Sequence, residues 1–80
     1  MITAKDAKER SKIAREKYIQ NSIAEAIEEG YDAMIFENER MFDDIENLKP
    51  ELEKLGYKVI RKNETGAFGK EYETIEVSWE

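Results

Sequence analysis

From Thr3 to Glu29 the chain runs without a single Pro or Gly, and 80 residues leave few folds open once about a third of them form one helix. Thr3 is placed to cap the start, with Asp6 three positions on, and Gly30 supplies the stop. Lys5 and Glu9, Glu9 and Lys12, and Lys12 and Glu16 stand at helix-neighbour spacings. At about 1.5 Å per residue such a helix is about 40 Å long, more than the remaining residues can cover. Its two halves differ. Ile19, Ile23, Ala26 and Ile27 form a bulky stripe that suits docking on a core. Ala4, Ala7, Ser11, Ala14 and Tyr18 recur at steps of 3 and 4, a seam of small residues that lets two helix backbones approach closely. The sequence therefore predicts that the N-terminal half projects and joins a second copy. Alanine as a strong helix former on a solvated face explains the same residues without a partner.

Beyond Gly30 the period changes. Tyr31, Ala33 and Ile35 alternate with Asp32, Met34 and Phe36, which predicts a strand apolar on both faces. Such a strand is central in its sheet or covered by a partner, and Met34 and Phe36 are assigned to that second, docking face. Met41, Ile45, Leu48, Leu52 and Leu55 continue a helical stripe, which Phe42 widens. Pro50 sits within it, so a helix starting at Asn47 as cap is expected, with 40–46 a separate turn or a kinked extension. Residues 57–62 and 72–79 read as two strands joined by a hairpin loop, with Gly66 and Gly69 as candidates for positive φ. Ile75, Val77 and Trp79 share one face of the last strand. The fold class is α+β: one domain over 1–80 in the order α-β-α-β-β. Helices cover one face of a three-stranded sheet, 1–30 form the long helix and 31–80 the β-α-β-β unit.

Composition removes much chemistry. Without Cys or His there is no disulfide, no thiolate or imidazole zinc site and no His-based triad. The longest apolar run, Ala33 to Phe36, is too short to span a bilayer or to form a signal-peptide core, and the expected location is the cytoplasm. Charge is segregated: residues 1–20 carry +3, residues 21–53 carry −9, and the rest balance. The net −6 argues against duplex DNA as a partner.

Two clusters are candidate sites. Glu37, Glu39, Asp43, Asp44 and Glu46 form an acidic run suited to docking a basic protein. As a metal site the run lacks the EF-hand spacing, and a solvated cluster at a helix N-terminus, complementing the dipole, is the simpler explanation. Lys58, Arg61, Lys62 and Lys70 surround a hairpin carrying Phe68, a pattern in which an aromatic stacks on a base while cations hold phosphate. Phe68 folded onto the core, with lysines guarding a sheet edge, is the structural alternative.

The opening Ile2-Thr3-Ala4, the join Leu55-Gly56-Tyr57-Lys58-Val59 and the ending Val77-Ser78-Trp79 resemble those of small accessory proteins of tailed bacteriophages. The likeness covers nearly the whole chain. It implies a protein that perturbs host machinery or blunts host defence without catalysis of its own, and it supplies no catalytic residues. The expectation is a non-enzymatic binding module with no cofactor or metal. It forms a homo-oligomer through the first helix, acting on a host protein or a small anionic nucleotide. A structural assembly component and a divalent-metal carboxylate enzyme are the alternatives.

Overall fold

The computed structural model describes residues 1–80 and has an α+β fold. Helix α1 spans Ala4–Glu28 and is followed by strand β1, Ala33–Phe36. A single 3-10 turn, Glu39–Met41, leads into helix α2, Phe42–Lys54. Strands β2, Lys58–Thr65, and β3, Glu71–Ser78, form the closing hairpin.

Both helix ends follow from local chemistry. The Thr3 side chain accepts from the Asp6 amide, as its position suggests. At the far end Gly30 takes φ 88°, the Gly30 amide donates to Ile27 and the Tyr31 amide to Ala26, closing the last turn with a left-handed residue. Gly56 ends α2 in the same way, with Gly56 and Tyr57 donating to Glu53 and Leu52.

The sheet has the order β1-β3-β2, and both pairings are antiparallel. The hairpin puts β2 on one side of β3, so β1 takes the other, and β3 rather than β1 is central. Phe36 pairs with Ile75 and Met34 with Val77; Val59 faces Val77 from the opposite side. These residues share the face that the helices cover. Ile19 and Ile23 of α1 meet Phe42, Ile45, Leu48 and Leu52 of α2 over Phe36, Ile75 and Val77. Met34, Tyr57, Val59 and Trp79 pack against its margin, with Tyr57 and Trp79 edge to face at 6.1 Å.

Four expectations are corrected. Phe36 is buried in the protein's own core and Met34 is half-buried against it, so the exposed face of β1 carries Ile35 instead. Helix α2 does not begin at Asn47: it runs through Pro50 from Phe42, with Asn38 capping the turn before it. Proline inside a helix costs about 3 kcal/mol, but a start at Asn47 would forgo the helical placement of Phe42 and Ile45, whose burial is worth about 1.5–3 kcal/mol each. Leu55 lies past the last turn and is 71% exposed rather than part of the core stripe. Gly66 is extended, with φ −87°, and the left-handed residues of the hairpin are Phe68 and Gly69.

Candidate functional site

Helix α1 meets the rest of the molecule only from Arg15 onward. Every residue from 1 to 14 is exposed, including Ile2, Ile13 and the small residues Ala4, Ala7, Ser11 and Ala14. Ile19 is the first fully buried side chain. At about 1.5 Å per residue, some 15 Å of helix therefore stands clear of the globule. A helix of this length draws little stability from propensity alone, because isolated segments below about 12–15 residues are marginal in water.

The projecting segment is held at its root by one buried contact. Arg15 donates from Nε to Oδ2 of Asp44 at 2.6 Å, and the Asp44 side chain is 6% exposed. This joins α1 to the first turn of α2. It also withdraws Asp44 from the acidic docking run. Glu46 lies 4.0 Å from Arg61, while Asp43 stays exposed on the same turn. The run is thus divided among three environments, and no group of three or more acidic side chains is arranged to hold a metal ion.

The cationic hairpin cluster is divided too. Arg61 lies on the helix-covered face, donates to Glu73 at 2.5 Å and places its guanidinium 5.1 Å from the centre of the Phe42 ring. The hydrogen bond to Glu73 holds the Arg61 pKa above its ordinary value against an opposing desolvation, with the charges of Glu73, Glu46 and Asp43 adding to the rise. Lys62 points to the opposite face and donates to Glu76 at 3.0 Å. Lys58 and Lys70 carry no ion pair and lie at opposite ends of the hairpin. Phe68 is fully exposed at the tip with φ 65°, so it does not fold back on the core.

Two grooves flank α1. One, of about 300 Å³, lies between α1 and α2 over Ile23, Ile27, Leu48, Leu52 and Leu55. The other, of about 470 Å³, lies between α1 and β1 and is lined by Tyr18, Ser22, Glu25 and Glu29 on one wall and Tyr31 and Ile35 on the other. Tyr18, Tyr31 and Ile35 are each more than half exposed there. Sequence reasoning ended the small-residue seam at Tyr18. Continuing its 3- and 4-residue steps through Ser22, Glu25 and Glu29 leads directly into this second groove, a signal present in the helical periodicity alone.

No helix is long and apolar enough to cross a membrane. In comparison with known proteins, the chain matches no protein-family model, no curated protein and no solved structure.

Proposed function

We propose that this chain is a non-catalytic binding protein that works as an assembly of its own copies, joined through α1, and acts by occupying or sequestering a target. The observation that carries this reading is the projection of residues 4–14 from the globule as helix with no support of their own. A second copy lying along Ala4, Ala7, Ser11 and Ala14 supplies that support with close backbone approach and little lost side-chain entropy. The resemblance to bacteriophage accessory proteins makes host takeover or immune evasion the natural setting, inside the host cell.

A protein target is favoured over a nucleotide. Arg61 and Lys62 are each matched by a carboxylate, which leaves Lys58 and Lys70, at opposite ends of the hairpin, and an exposed Phe68 for any phosphate-bearing ligand. The carboxylate-metal alternative needs Asp43 or Asp44 with further acids about an ion, whereas Asp44 faces Arg15. Sedimentation of the wild-type chain beside Ala7→Glu and Ala14→Glu tests the assembly. The expected result is a multimer that each substitution dissociates without loss of helix content in the globule. A wild-type mass of one chain, or multimers indifferent to both substitutions, overturns it. Thermal-shift screening against cyclic and linear nucleotides tests the target class: a flat response is expected, since a ligand at 100 times its Kd adds about 2.7 kcal/mol of stability.

A further inference from the structure

We infer that two copies pair antiparallel, the projecting segment of each α1 lying in the α1–β1 groove of the other. This rests on the proposed assembly through α1 and adds its orientation and its seat. On a helix of 3.6 residues per turn, Ala4, Ala7, Ser11, Ala14 and Tyr18 share one face with Ser22, Glu25 and Glu29. The charges bordering that face are segregated by sign. The projecting half contributes Lys8 and Arg10, and the half beside the groove contributes Glu25, Glu28 and Glu29. None of these five forms an ion pair within its own chain.

A parallel pair sets like charge against like along the whole seam. An antiparallel pair sets Lys8 and Arg10 of each copy beside the acidic end of the other, at both ends of the two-fold arrangement. It also seats the small residues against Tyr18, Tyr31 and Ile35, the exposed apolar groups of the groove. The opposite face of α1 shows no such order. Lys5, Glu9, Lys12 and Glu16 interleave there at helix-neighbour spacings, the pattern of a solvated surface, although Ile13 and the α1–α2 groove share that side.

A charge-reversal cycle tests the orientation. Lys8→Glu with Arg10→Glu sets acid against acid and is expected to raise the dimer dissociation constant more than tenfold at low salt. Adding Glu25→Lys and Glu28→Lys to the same chain restores opposite charges in an antiparallel pair and is expected to recover most of the affinity. In a parallel pair the fourfold variant has like charges at both ends and recovers nothing. Because the chain has no cysteine, Lys5→Cys gives a unique spin-label site. Labels in the antiparallel dimer stand about 35–40 Å apart, and near 20 Å in a parallel one. A dimer with the short distance, or with no recovery in the fourfold variant, overturns the orientation and leaves the assembly standing. A wild-type chain that stays single overturns both. Dissociation by Ile13→Glu but not by Lys8→Glu with Arg10→Glu moves the seat to the α1–α2 groove and overturns this assignment.

Discussion

Replacing Arg15 by Ala removes the only partner of a carboxylate that remains buried. Asp44 keeps its place in the first turn of α2 with 6% of its side chain exposed, while the Nε donor at 2.6 Å is lost. Removing one member of a fully buried pair costs about 3–5 kcal/mol. Arg15 itself is 39% exposed, so water reaches part of the vacated site, and the expected cost falls to about 1.5–3 kcal/mol. For a domain of this size that is a fall in Tm of about 6–24 °C. Asp44→Asn is expected to be much milder. The amide oxygen still accepts from Arg15; the charge that faced both Arg15 and the helix N-terminus is lost, and with it the cost of keeping that charge buried. Arg15→Ala should cost less in the Asp44→Asn background than in the wild type, by about 1 kcal/mol, because what then loses its partner is a neutral amide rather than a buried charge. Urea denaturation of the four proteins at one common concentration gives the cycle. If Arg15→Ala costs the same with and without Asp44→Asn, the guanidinium stem acts by packing and the charge argument fails.

Two further substitutions probe strained backbone. Pro50→Ala restores an amide donor toward Glu46 inside α2 and is expected to stabilise by about 1–3 kcal/mol in thermal unfolding; a lower Tm would mean that the proline is needed to seat Leu48 and Leu52. Phe68→Asn at the hairpin tip, where φ is 65° and the ring touches solvent, relieves left-handed strain and should raise stability by about 0.5–1 kcal/mol. A fall in Tm there would reveal a contact that holds the phenyl ring in the folded protein.

Local signals in the sequence carry most of the architecture. Thr3 and Gly30 mark the ends of α1 because caps are made by the residues beside them, and Gly56 marks the end of α2 for the same reason. The burial of Ile75 and Val77 follows from alternation along β3. What was hidden depends on residues distant in the chain. Which face of β1 turns inward is decided by pairing of Phe36 with Ile75, 39 positions away, and an alternation that is apolar on both sides cannot choose. Pro50 is a strong local signal for a start of α2 at Asn47, and only the tertiary burial of Phe42 and Ile45 outweighs it. The cationic and acidic clusters looked like sites because their partners were out of view. Glu73 and Glu76 lie across the hairpin from Arg61 and Lys62, and Arg15 approaches Asp44 from another helix. By contrast, the projection of α1 was legible from length alone.

Amide hydrogen exchange along residues 5–14, followed across protein concentration, probes the support of this segment most directly. If a second copy holds it, its amides are protected where the mass is twice the 9.4 kDa of one chain and lose protection on dilution as that mass halves, while Ile19 to Ala26 stay protected. Protection that is absent at every concentration, or that persists unchanged in the single chain, contradicts the account.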